Sequence, residues 1–215
     1  MRHFHPPAGR FDGLIGGSPC QDFSPLNRAP GNNSQEMLDQ YCRVVTAAQP
    51  DWFLHENVSR VPEFEIPGYT QQRFTLDLAW FSEYSRLRVF TFGSKNGRLL
   101  NPMQGKKGVV IGTAVTGNDE RSFSACCQIQ GLDRNFDLPD LTLTAKKQVV
   151  ANGVPRELGD YIAGLICEQY YGTEAKVVAL NEDIRRCGCG RQVLGRQKTS
   201  SATCRKRLSR RVKSA

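Results

Sequence analysis

An apolar run that breaks into a glycine turn and then delivers a cysteine constrains this chain more than any other stretch. Phe11-Asp-Gly-Leu-Ile-Gly-Gly17 reads as a short buried strand ending in a turn, and Ser18-Pro-Cys-Gln-Asp-Phe-Ser24 follows at once. A cysteine there sits at the active edge of a sheet, where the turn fixes the backbone and presents the thiol. Asp51 to Asn57, with Trp52, Phe53 and Leu54, reads as a second buried strand ending on polar residues. Arg88 to Gly93 (RVFTFG) reads as a third. Between the first two, Ser34 to Ala48 has helical spacing, with Met37, Leu38, Tyr41, Val44 and Val45 on one side and Ser34 as its cap. This strand–helix–strand alternation predicts an α/β sheet whose strand ends carry the chemistry.

Thr70 to Trp80 reads as an amphipathic helix or mixed segment, and Ser94 to Glu120 as loops around one short strand, Gly108 to Ala114. Arg121 to Gly131 predicts a helix. So does Gly159 to Tyr171, with Ile162, Leu165, Ile166 and Tyr170 at helical spacing. A linker from Leu180 leads into a strongly basic end. Arg185 to Ala215 holds 11 Lys or Arg and no Asp or Glu, so residues 1–184 carry 18 basic and 21 acidic groups and a net charge of −3. The whole net charge of +8 therefore comes from the last 31 residues. A basic tail on a near-neutral body is the electrostatic footprint of a polyanion binder, most simply a nucleic-acid binder, or else a solvated tail.

No stretch approaches the length of apolar residues that a membrane span needs, and the N-terminus MRHFHPPAGRFDG has no apolar signal core. A soluble cytoplasmic protein is expected. In a reducing compartment its eight cysteines are buried, metal-bound or catalytic rather than a disulfide framework. Cys126-Cys127 fall in the 121–131 helix, where one should face the core and one should not. Cys42 reads as packing, and Cys167 as a core residue. His3 and His5 read as exposed, and His55 as a packing residue.

Three local patterns carry chemistry. Cys20 behind its turn can be a nucleophile. Glu56-Asn57-Val58, at the end of an apolar strand, can place a carboxyl for proton transfer beside it. Arg86-Leu-Arg88 enters a strand with two guanidiniums on one face, being two residues apart.

Taken together these elements resemble the cytosine-5 DNA methyltransferases. Pro19-Cys20-Gln21 with Phe23-Ser24 matches that family's nucleophile loop, and Glu56-Asn57-Val58 its second element. Arg86 and Arg88, followed by Val89-Phe90 and Gly93, match the third. Asn152-Gly-Val-Pro155, opening a helix from Leu158 to Ile166, matches the last. The four stand in family order over residues 11–170. The resemblance implies an incomplete Rossmann-like methyltransferase sheet with a very small recognition insertion and a basic C-terminal tail. It divides the chain into a catalytic half (1–93), a reduced target-recognition segment (94–120), a C-terminal part of the methyltransferase domain (121–180) and the tail (181–215).

The resemblance also implies a mechanism. A cytosine is flipped out of the duplex. Cys20 attacks carbon 6, Glu56 holds and protonates ring nitrogen 3, and carbon 5 takes a methyl group from S-adenosylmethionine. Arg88 and Arg86 orient the base or the nucleophile loop. Pro19, Asn152 and Val154 fall at cofactor-binding positions, and Gln21, Ser24, Arg205, Lys206 and Arg207 at DNA-binding ones.

Some residues depart from the pattern. Tyr84 stands where the family has Gln, and Ala151 where a Gly precedes Asn152. The 27 residues from Ser94 to Glu120 leave little room for base-specific contacts. Full enzymes begin with a Phe-x-Gly-x-Gly-Gly cofactor loop. Phe11 to Gly17 mimics it but fits better as the strand feeding Cys20. The expectation is a partner chain that supplies the cofactor half, in a bacterial or phage-encoded, nucleoid-associated protein. The other reading is a catalytically inactive remnant that binds DNA. In the tail, Cys187, Cys189 and Cys204 offer three thiolates for zinc, against a tail with incidental thiols.

Overall fold

The computed structural model describes residues 3–24, 27–103, 105, 108–172, 185–186 and 192–193. Two compact units divide the chain, Met1–Gly172 and Thr173–Ala215. In the second, the described residues form one antiparallel pair, with Arg185 opposite Val193 and Arg186 opposite Gln192.

The first unit is built on four strands in the order β1 (Gly13–Gly17), β2 (Trp52–Asn57), β5 (Leu87–Ser94), β3 (Thr70–Asp77). β1 and β2 run parallel, from Gly13 opposite Trp52 to Gly17 opposite Glu56. A right-handed crossover is the rule for such a pair, and here the connection holds helix α1 (Asn33–Ala48). β5 runs antiparallel to both β2 and β3. A short parallel pair, β4 (Tyr84–Ser85) with β6 (Gly112–Thr113), lies apart from this sheet.

The sheet is covered on both faces, as alternation along β2 requires. Phe53 packs with Tyr41 and Val45 of α1 and with Ile66. Trp52 and Leu54, on the opposite face, join Phe90 and Phe92 in the larger core. That core also holds residues of three further helices: α2 (Phe123–Ile129), α3 (Leu143–Asn152) and α4 (Arg156–Leu165). Burying Leu158, Ile162, Leu165, Ile166 and Tyr170 fixes one face of α4 and the π-turn Ile166–Tyr170 that extends it.

Three of the five residues of β1 are glycines, with Leu14 packing against the Tyr41–Phe53 cluster and Ile15 exposed. A Cβ on Gly13 would lie 2.1 Å from the Trp52 ring, and one on Gly17 would lie 2.9 Å from the Glu56 carbonyl oxygen. Glycine at these points lets the strand close onto its neighbours. The run expected from Phe11 to Gly17 forms a strand only over Gly13–Gly17, and that strand leads into the Cys20 loop.

Several expectations need correction. Thr70 to Asp77 is a strand and not a helix. It pairs with β5 along its whole length, from Thr70 opposite Ser94 to Asp77 opposite Leu87, and only Leu78–Trp80 turns, as a single 3-10 turn capped by Asp77. The expected strand Gly108 to Ala114 shrinks to two residues. Ser34 does not cap α1. Asn32 holds that place, and Ser34 lies inside the first turn, fully buried. Cys126 and Cys127 are both buried, because α2 packs in the middle of the larger core. Cys167 is exposed, since Ile166 and Tyr170 are the residues of that turn that face inward. Helix α3, capped by Thr142, has no counterpart among the sequence expectations.

Candidate active site

The parallel strands β1 and β2 end at the same edge of the sheet, and a cleft of about 390 Å³ opens beyond them. A crevice outside the carboxyl ends of parallel strands is the usual ligand site of an open α/β sheet. Gly17, Ser18, Pro19, Cys20 and Gln21 form one wall, Glu56, Asn57 and Val58 another, and Arg88 with Ala151 and Asn152 the rest. Residues from four separate parts of the chain thus meet at one place.

Cys20 is half-buried and opens the single 3-10 turn Gln21–Phe23. The loop is held on both sides of it. Upstream, the Ser18 amide donates to His55 Nε2 at 3.3 Å, and the Ser18 hydroxyl lies 3.3 Å from the same nitrogen. Asn57 Nδ2 donates to the Ser18 carbonyl at 3.0 Å and to its hydroxyl at 2.9 Å. Downstream, Asp22 and Ser34 cap each other. The Asp22 amide donates to the Ser34 hydroxyl, and the Ser34 amide donates to the Asp22 carboxylate at 2.7 Å. The Gly31 amide gives that carboxylate a second bond at 2.9 Å. These amide donors hold the Asp22 carboxyl below its ordinary range.

Glu56 and Arg88 are ion-paired, with Arg88 Nε 2.8 Å from Glu56 Oε1. Burial raises the Glu56 carboxyl above its ordinary pKa, and the charges of Arg88 and Arg86 oppose that rise without cancelling it. The buried carboxyl consequently takes up a proton more readily than a solvated one.

The two arginines have different surroundings. Arg88 lines the cleft. Arg86 is buried, and its guanidinium donates to the carbonyls of Val115, Ala151 and Gly153. It ties the Asn152 turn to the strand that carries Arg88. Gln130 Nε2 reinforces that tie by donating to the carbonyls of Val150 and Gly153.

The remaining expected residues divide by position. Pro19, Gln21 and Asn152 line the cleft, whereas Val154 and Ser24 are not part of its lining. Val154 is partly exposed beyond the Asn152 turn. Arg205, Lys206 and Arg207, and the thiols of Cys187, Cys189 and Cys204, lie outside the described residues. Among the described residues no group of three His, Cys, Asp or Glu is placed to hold a metal ion. None of the described helices is long and apolar enough to cross a membrane.

Sequence reasoning missed the residues that hold the loop. Asn57 stands inside a recognised pattern without a role, Ser18 and Asp22 carry none within the Cys20 loop, and Ser34 is expected only as a helix cap. His55 was read as packing. It does pack, with its ring 4.7 Å from that of Tyr41 and 5.2 Å from that of Phe64, but it also accepts a hydrogen bond. The available signal was the two-residue spacing of His55 and Asn57, which puts both on one face of β2.

Residues 4–78 match the family model for C-5 cytosine-specific DNA methylases. Type II methyltransferase M.AgeI of Thalassovita gelatinovora is 30% identical over 164 residues, covering 64% of this chain and 37% of that protein. Type II methyltransferase M.HgiDI of Herpetosiphon aurantiacus is 31% identical over 98 residues, covering 40% of this chain and 32% of that protein. The chain thus spans about a third of the length of these curated relatives. The crystal structure of the S. pombe Dnmt2 methyltransferase superposes with a TM-score of 0.50 at 13% identity, over 73% of this chain and 78% of that one, so the two share a fold. The nucleophile loop and the strand bearing Glu56 both lie inside residues 4–78, the segment over which this chain is similar to the C-5 cytosine-specific DNA methylases.

Proposed function

We propose that this chain supplies the base-binding and nucleophile side of a DNA cytosine-5 methyltransferase. The observation that carries this reading is the convergence of Cys20, Glu56, Arg88 and Asn152 on one cleft at the ends of two parallel strands. An aromatic carbon is a poor nucleophile until a covalent adduct breaks the aromaticity. The Cys20 thiolate attacks carbon 6 of a flipped-out cytosine and forms a carbon–sulfur bond. The displaced electron pair moves toward carbon 5 while the proton held by Glu56 goes to ring nitrogen 3. A buried carboxyl with a raised pKa suits that proton. Arg88 holds Glu56 in place through Oε1, which leaves the second carboxyl oxygen for the base. After carbon 5 is methylated, a base removes its proton, and the returning electron pair expels the Cys20 thiolate.

S-adenosylmethionine, when bound, supplies an electrophilic methyl group. Pro19 and Asn152 line the cleft beside Cys20 and would border that group, while the lining gives no such place to Val154. The relatives are about three times as long as the matched stretch, and the proposal assigns the other cofactor contacts to residues beyond this sequence, on the same or a partner chain. Gln21 and Ser24, with the basic run Arg205-Lys206-Arg207, are proposed to contact DNA, and the phosphate contacts should weaken steeply with salt. A zinc ion on Cys187, Cys189 and Cys204 stays a separate proposal for the tail.

Trapping on DNA that carries 5-fluorocytosine tests the reading, because fluorine at carbon 5 blocks the final elimination. With S-adenosylmethionine and the remaining methyltransferase segment added, a denaturation-resistant adduct is expected with Cys20 and none with Cys20→Ser. Absence of an adduct in every combination, with DNA still bound, would leave the inactive DNA-binding reading.

A further inference from the structure

We propose that His55 is a positioning residue for Cys20, acting through Ser18. The Ser18 amide can only donate, so His55 Nε2 accepts, and the imidazole is neutral with its proton on Nδ1. Asn57 takes the Ser18 carbonyl, and the Ser18 hydroxyl lies within hydrogen-bond distance of both side chains. Both polar backbone groups of Ser18, and its hydroxyl, are therefore held by two side chains from the same face of β2. His55 is 1% exposed and Asn57 2%, so water does not compete for these bonds. Pro19 has a fixed φ and passes this anchoring directly to Cys20. Asp22, two residues beyond Cys20, is locked to Ser34 and Gly31, so the nucleophile lies between two anchors with one residue separating it from each.

An apolar residue at position 55 would satisfy packing against Tyr41 and Phe64 but would leave the Ser18 amide without an acceptor. Desolvation and the nearby Arg73 charge keep the ring neutral, with its pKa lowered to about 4, so the acceptor persists at neutral pH. The kinetic meaning of the anchor rests on the methyltransferase reading, whereas the anchor itself does not.

The test compares the wild-type 215-residue chain with His55→Leu, His55→Gln and Val45→Ala. Glutamine restores an acceptor, leucine does not, and Val45→Ala loosens the same α1–β2 core without touching Ser18. Amide hydrogen exchange is followed in the peptide spanning Ser18 to Ser24, and iodoacetamide alkylation of Cys20 is followed by site-resolved mass spectrometry. His55→Leu should speed exchange at the Ser18 amide about tenfold, the scale of one lost hydrogen bond, and speed Cys20 alkylation, with His55→Gln returning both toward wild type. Val45→Ala should leave both unchanged even where its melting temperature falls as far. Wild-type behaviour of His55→Leu, or an equal response of Val45→Ala, overturns the proposal. Absence of the 5-fluorocytosine adduct in wild type would instead count against the methyltransferase reading and leave the exchange result standing.

Discussion

Arg88 and Glu56 are diagonal neighbours across the antiparallel pair β5–β2, and their side chains, 17% and 19% exposed, meet at 2.8 Å. Removing Arg88 changes the protonation of Glu56. Burial is the larger influence on Glu56 and raises its pKa, while the Arg88 charge pulls it down. In Arg88→Leu the carboxyl should therefore keep its proton to higher pH than in wild type. Carboxyl-carbon NMR of Glu56 across a pH series measures this directly, and an unmoved or lowered titration would contradict the pairing.

Glu56→Gln keeps the shape of the side chain but cannot deliver a carboxylic proton to ring nitrogen 3. Methyl transfer by the assembled enzyme should fall by about 10²–10⁴-fold, the usual worth of a positioned acid, with little change in DNA affinity. Single-turnover rates set beside binding isotherms separate the two effects.

Arg86→Met should destabilise the fold more than it affects the chemistry. The guanidinium serves the carbonyls of Val115, Ala151 and Gly153, and methionine removes this donor from all three, with only Gly153 keeping a bond from Gln130 Nε2. A buried unsatisfied polar group costs about 1–3 kcal/mol, so a loss of that order or larger is expected in urea unfolding.

Stability should also carry the signature of a buried neutral histidine. The His55 pKa is lowered from 6.5 to about 4, so the folded state resists a proton that the unfolded chain accepts. The contribution is fully present above about pH 7 and is lost as pH falls from 6.5 toward 4. The full shift corresponds to about 3 kcal/mol. His55→Gln should flatten this part of the stability–pH curve relative to wild type, as measured by denaturant unfolding at fixed pH steps.

Gly17→Ala places a methyl group 2.9 Å from the Glu56 carbonyl oxygen, a backbone atom that cannot rotate away. Overpacking of this kind costs about 1–3 kcal/mol. The expected result is a lower melting temperature together with reduced Cys20 trapping.

The cleft was more legible in the sequence than the elements around it. Cys20, Glu56 and Arg88 stand next to strand ends, and strand ends announce themselves through apolar runs that stop abruptly, so their convergence followed from the order of the runs. Thr70 to Asp77 was harder. Its polar residues, such as Gln72, find partners only in the tertiary structure, where Gln72 bonds both backbone groups of Leu100. Such a strand lacks a clean two-residue alternation. Helix α3 was missed because its buried residues, Val150 and Ala151, are confined to its end. The anchors of the nucleophile loop were hidden for another reason. A histidine accepting from a backbone amide 37 positions away has no local sequence signature.

The glycines of β1 also bear on how the protein can vary. The strand is located by the surfaces of its neighbours: the Trp52 ring at Gly13, the Tyr41 ring at Gly16 and the Glu56 backbone at Gly17. In most strands a substitution alters what the strand itself brings to the core. Here, changing Trp52 or Tyr41 would reseat the whole strand, and Cys20 would travel with it. Adjustment of the nucleophile over evolutionary time is therefore expected at these flanking aromatic positions, with β1 itself behaving as a blank rail whose course is set from outside.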